Sequence, residues 1–243
     1  VDALGNEETH HVEIDYVDHT PPLTTKEYGT PYYTDGTREW VTTQTPITLI
    51  ADDGDETHDS GVAVTFWRNT LVDERYCSGE WVCEEAEGSA YWNIYKGPFY
   101  KSEESCHLIE YYSVDNVEKT EGVKKQCVYV DDTAPNIYKD STGPVHECNY
   151  DEWMAYGEPD YGCYYITQQS TIYLNCVDEG DHPVNNVILY YRDYLIEETP
   201  PAFIPVPGGY VEIQKEEDSE HVLEFYCEDA LGNKGPTDEE KFK

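Results

Sequence analysis

Val17-Asp18-His19-Thr20-Pro21-Pro22 and Val130-Asp131-Asp132-Thr133-Ala134-Pro135 stand 113 positions apart. A Val-Asp-x-Thr-x-Pro segment recurring at domain-sized spacing marks the same boundary twice. Downstream, His107-Leu108-Ile109-Glu110-Tyr111-Tyr112-Ser113 matches His221-Val222-Leu223-Glu224-Phe225-Tyr226-Cys227 at an offset of 114. Between them, Thr45-Pro46-Ile47-Thr48-Leu49-Ile50-Ala51 matches Ser170-Thr171-Ile172-Tyr173-Leu174-Asn175-Cys176 at an offset of 125, so the second repeat gains residues before this segment and loses about as many after it. Two domains follow, residues 18–130 and 131–243, each 113 residues long. Residues 1–17 read as the final strand of a preceding repeat or a strand given to a neighbour, because Val1-Asp2-Ala3-Leu4-Gly5-Asn6 copies Glu228-Asp229-Ala230-Leu231-Gly232-Asn233. Alternation of Val12, Ile14 and Tyr16 predicts a strand over residues 7–17, paired with another polypeptide or with a preceding domain.

Strand signals dominate both repeats. Residues 47–51, 62–67, 108–112 and 123–130, then 171–177, 186–191, 222–226 and 236–243, are β-branched or aromatic runs broken by Gly, Asp, Asn and Pro. No stretch carries a helical period. Short strands at this spacing, about seven per repeat, predict an all-β chain of tandem immunoglobulin-like antiparallel β-sandwiches.

Eight cysteines without a Cys-x-x-Cys pair predict disulfides rather than a zinc site, and an extracellular location. Cys176 and Cys227 fall where an inter-sheet bridge sits, and their counterparts Ala51 and Ser113 lack the thiol together, as bonded partners would. For the remaining six the simplest pairing is Cys77 with Cys83, Cys106 with Cys127 and Cys148 with Cys163, with other connectivities open.

A net charge of -36 excludes nucleic-acid binding, which needs clustered cations, and repels anionic membranes. The 23 Tyr and 5 Trp supply apolar bodies that a disordered acidic tail lacks. No apolar run reaches the roughly 20 residues of a membrane span, and the N-terminal residues lack the charged-then-apolar pattern of a signal peptide. Neither a phosphate loop nor a nucleophile elbow is present, and carboxylate pairs carry no information in so acidic a chain, so no enzymatic activity is expected.

The Val-Asp-x-Thr-x-Pro start, seen twice, and the x-Asp-x-x-Gly-Asn turn, at residues 1–6 and 228–233, resemble the immunoglobulin-like repeats of large bacterial and archaeal cell-surface proteins. Val114-Asp115-Asn116-Val117-Glu118-Lys119 departs from that turn by lacking Gly-Asn. The resemblance implies a rod within a surface filament, stalk or surface layer, self-associating with copies or repeats. The alternative is an adhesin gripping a glycan or protein through aromatic loops, where Trp81, Trp92 and Trp153 are the candidate contacts.

An immunoglobulin topology brings the domain start, the second-to-third-strand loop and the last hairpin loop to one end. Asp18, Asp52, Asp53, Asp55 and Asp115 would meet there in the first repeat, and Asp131, Asp132, Asp178, Asp181 and Asp229 in the second. Calcium takes six to eight oxygens, and carboxylates crowded without a cation repel, so these are expected calcium ligands. The bland reading is an acidic surface in water. His19, His58 and His182 lie nearby, but no second histidine stands at ligand spacing.

Overall fold

The structure, a computed structural model, describes residues 3–54, 59–148, 162–180 and 182–243. In the first repeat β1 (Leu23–Tyr28) pairs with β4 (Ile47–Asp52). A second sheet takes the order β2 (Tyr32–Thr34), β3 (Glu39–Val41), β8 (Lys124–Val130), β7 (Ser105–Asp115), β5 (Val62–Leu71) and β6 (Asn93–Ile94). The second repeat pairs β9 (Asn136–Thr142), β12 (Thr171–Val177) and β15 (Tyr210–Ile213) in one sheet. Its other sheet runs β10 (Val145–Glu147), β11 (Gly162–Ile166), β17 (Asp238–Phe242), β16 (His221–Asp229), β13 (Val187–Leu195) and β14 (Ile204–Pro207). The two six-stranded orders correspond strand for strand, and this arrangement is an immunoglobulin-like β-sandwich repeated in tandem.

In each repeat the chain leaves the small sheet after its first strand and crosses to the large one through a hairpin. There β3 lies parallel to β8, as β11 lies parallel to β17, while the other strand pairs are antiparallel. The β2–β3 turn is set locally: the Asp35 carboxylate accepts from Thr37 N–H at 2.8 Å and Arg38 N–H at 2.7 Å, and Gly36 takes a φ of 90° that a side chain would resist. The sequence reading did not resolve these hairpins. Much of the length the second repeat gains falls between β10 and β11.

Burial is continuous rather than alternating over Cys106 to Tyr111 of β7. Residues 74–92 fold over the outer face of its sheet, so β7 is covered on both sides. Two disulfides fasten that insertion, Cys77 of α1 (Glu74–Cys77) to Cys106 of β7 and Cys83 to Cys127 of β8. The expected bridges Cys77 to Cys83 and Cys106 to Cys127 are therefore not formed. Register gives the reason: Cys106 lies opposite Tyr129 and Cys127 opposite Leu108. A diagonal of about 7–8 Å separates such positions, beyond the usual reach of a disulfide. Cys148 bonds Cys163, and Cys176 bonds Cys227. Beneath the insertion, Arg68 of β5 and Glu110 of β7 form a forked ion pair at 2.6 and 2.9 Å, with Trp92 over the guanidinium. Arg192 and Glu224 repeat that cross-strand pair in the second sandwich under Phe203.

Among the described residues domain 1 keeps no counterpart of β15. A single bridge between Ile47 and Phe99 stands in its place, with Phe99 stacked on Trp67 at 3.8 Å between ring centres. Within this chain the strand expected over residues 7–17 is not formed, and Val12 and Ile14 are exposed.

The first core also holds an amine. Lys26 Nζ is buried over the Tyr28 ring, 3.7 Å from Glu39, and burial outweighs that carboxylate to bring its pKa from 10.5 to about 7. The unfolded chain thus binds more protons than the folded one between pH 7 and 10.5, so Lys26 makes stability rise with pH through that window. Lys26→Met should flatten the rise between pH 7 and 9. Thermal melts of both proteins at the two pH values check this.

Candidate functional site

Three carboxylates converge at the top of each sandwich. In the first, oxygens of Asp18, Asp53 and Asp115 lie within 4.8 Å of one another, and Asp131, Asp178 and Asp229 do the same in the second. The elements that carry them correspond. Asp18 and Asp131 precede the first strand, Asp53 and Asp178 directly follow β4 and β12, and Asp115 and Asp229 end β7 and β16.

Backbone amides hold the outer members in one pattern used twice. Asp18 Oδ1 accepts from Thr20 N–H at 3.0 Å and Oδ2 from Ser60 N–H at 2.9 Å; Asp131 accepts from Thr133 and Val184, each at 3.1 Å. Asp115 Oδ1 accepts from the amides two and four residues on, Val117 at 2.9 Å and Lys119 at 2.7 Å. Asp229 Oδ1 repeats this with Leu231 and Asn233 at 2.8 and 2.9 Å, while its Oδ2 takes the Asn233 side-chain amide at 2.8 Å. Such turns pre-form each site from local sequence.

The central members differ from the outer ones. Asp53 and Asp178 are each 6% exposed, and neither oxygen of either has a hydrogen-bond partner. Asp115 Oδ2 is likewise buried and unpartnered. Burial, followed by the charges of Asp131 and Asp229, pushes Asp178 up to about 7, and burial pushes Asp131 up to about 6. Asp229 and Asp53 are raised for the same first reason, whereas amide hydrogen bonds led by Ser60 lower Asp18.

Of the ten aspartates expected to meet, six do. Asp52 ends β4 exposed and accepts from Gly54 N–H, and exposed Asp132 accepts from Thr43 N–H. Neither belongs to a cluster, because neighbours along an extended chain point to opposite sides and only one of Asp52-Asp53 or Asp131-Asp132 turns inward. Asp55 and Asp181 lie outside the described residues. A usable signal was present in the repeat itself. At the offsets of 113, 125 and 114, Asp18, Asp53 and Asp115 meet Asp131, Asp178 and Asp229, whereas Asp52 meets Val177 and Asp132 meets His19.

The first cluster opens onto a cavity of about 580 Å³ bordered by Val17, His19 and Asp59. The second faces the joint between the sandwiches, where the His182 ring stacks on Tyr129 at 4.8 Å. Among the aromatic candidates, Trp81 carries Arg75 at 3.7 Å and meets Tyr76 edge-on, and Trp92 packs on Tyr112 and Arg68. Both indoles are thus engaged within the chain, and Trp153 lies outside the described residues.

No protein-family model matches this chain, and no curated protein matches it. Among solved structures it is similar to the FN1-FN3 domains of chicken CNTN1, at 11% sequence identity and a TM-score of 0.29, over 92% of this chain and 67% of that one. The immunoglobulin-like assignment rests on strand order and register instead.

Proposed function

We propose that this chain is a rigid segment of a tandem immunoglobulin-like surface protein, a rod in a filament, stalk or surface layer outside the cell, whose partners are copies of itself and neighbouring repeats. The joint between the sandwiches is the observation that supports it. Val184 and Leu231 of the second repeat share one buried apolar cluster with Trp40, Cys77, Cys106 and Tyr129 of the first. Trp40 Nε1–H donates to the His182 carbonyl at 3.2 Å. The connecting residues are pinned as well: Asn233 donates to the Asp131 carbonyl at 3.0 Å, Thr43 N–H to Asp132 at 2.9 Å, and the Thr133 hydroxyl to Glu104 at 2.9 Å. A flexible tether between domains would be polar and free of such contacts. Four disulfides that use all eight cysteines suit an oxidising compartment. No catalytic role enters this reading.

Small-angle X-ray scattering tests it. The chain should scatter as one elongated particle of fixed shape, and the double variant Val184→Ser/Leu231→Ser should broaden the distance distribution while calorimetry still shows both sandwiches folded. A wild-type profile that already requires freely jointed domains would refute the rod.

A further inference from the structure

We propose that each aspartate cluster binds one calcium ion, Asp18, Asp53 and Asp115 holding the first and Asp131, Asp178 and Asp229 the second. Crowded acids alone would say little in so acidic a chain. What points to a ligand is the central aspartate of each set, more than nine-tenths buried, aimed at two other carboxylates, with both oxygens lacking a hydrogen-bond partner. Buried polar atoms normally find partners, and buried charge is paired or coordinates a metal. No Lys, Arg or His is ion-paired to any of the six among the described residues. A cation from solution would compensate all three carboxylates of a cluster at once and fill the bonds that the central one lacks.

The donor set chooses the cation. Three carboxylates per cluster and no thiolate or imidazole suit a hard ion rather than zinc or copper. Three carboxylates on three separate segments can adapt to the larger shell of calcium. Magnesium favours one or two carboxylates and several waters in strict octahedral geometry. Duplication adds independent weight, since the same amide scaffold is built around both clusters from different local sequences, Asn-Val-Glu-Lys after Asp115 and Ala-Leu-Gly-Asn after Asp229. The sites belong to each sandwich separately, so their existence does not depend on the rod reading. The second has a further consequence. Asp131 lies in the connection between sandwiches and Val184, whose amide it accepts, packs in the joint, so calcium there fastens the connection to the domain it enters.

Isothermal titration of CaCl2 into the full chain, stripped with EGTA, should give two sites per chain. Asp53→Asn and Asp178→Asn should each remove one, and Asp52→Asn with Asp132→Asn should remove none. Calcium at 100 times its Kd should raise each sandwich's Tm by roughly 10 °C. Absence of saturable binding, a stoichiometry indifferent to both Asp53 and Asp178, or equally tight binding of MgCl2 would overturn the proposal. Should a variant fail to fold, the wild-type melt decides alone: a Tm unmoved between excess EGTA and excess calcium overturns it. Scattering of the Asp178→Asn variant in saturating CaCl2 separates the two readings, because joint loosening with binding intact at the first cluster supports the lock, whereas a rod unchanged by the substitution refutes the lock and leaves the rod standing.

Discussion

Glu121→Ala is expected to lower the Tm of the first sandwich by 10 °C or more while leaving the second unmoved. Ser113 sits where the second repeat has Cys227, and Ala51 where it has Cys176, so no disulfide ties the first sandwich's sheets together at that place. A polar chain takes over. Thr65 of β5 and Ser113 of β7 share a hydrogen bond at 2.7 Å between hydroxyls, and Ser113 and Thr24 of β1 share another at 2.6 Å. The Thr24 hydroxyl then donates to Glu121, whose carboxylate also accepts from Thr24 N–H at 3.1 Å and Ser113 N–H at 2.8 Å and pairs with Lys124 at 3.0 Å. Thr24 belongs to the small sheet and Thr65 and Ser113 to the large one, with Glu121 in the connection between β7 and β8, so the network crosses the core. Truncating Glu121 strands at least two buried N–H donors, each worth about 1–3 kcal/mol, giving a loss of about 3–5 kcal/mol. Calorimetry of the full chain reads the two sandwiches as separate transitions; a first transition shifted by less than about 2 °C would show the network to be dispensable.

Removing the covalent version should cost the second sandwich about as much. Cys176 and Cys227 close a loop of 51 residues, and the chain-entropy relation gives about 4 kcal/mol for that length. Both residues are buried within the core of Ile172, Leu174, Leu189, Leu223 and Phe225, so the paired change Cys176→Ala/Cys227→Ala adds a packing loss to the entropic one. The second transition should fall by more than 10 °C and the first should hold, the reverse of the Glu121 result. If both transitions fell together, the sandwiches would be unfolding as one unit and the separate attribution would fail.

These paired predictions exist because the chain states the same fold twice. Comparing two solutions identifies what varies together: Cys176 with Cys227 against Ala51 with Ser113, a reading that needs no coordinates. Alternation along 47–51 and 171–177 likewise marks strands, since a side chain's face in an extended chain depends only on its own position. The same comparison singles out the clustered acids, because among the described aspartates offered as ligands only those matched between the repeats come together. Asp52 and Asp132 belong to the expected set through the position of their segments in the topology, which does not say which of two adjacent side chains turns inward.

What the sequence by itself determined is therefore whatever is local or duplicated: two β-sandwiches, their spacing, the bond between Cys176 and Cys227, and the ends of strands where aspartates gather. Tertiary structure alone decided the rest. Pairing of Cys77 with Cys106 depends on a two-residue diagonal between β7 and β8 and on an insertion that folds over their outer face. Substitution of a Thr65–Ser113–Thr24–Glu121 network for a disulfide depends on residues up to 97 positions apart meeting across two sheets. The joint of Trp40, Tyr129, His182 and Val184 depends on how one sandwich seats on the next. Contacts between distant segments are fixed by register and layer packing, which no local periodicity encodes.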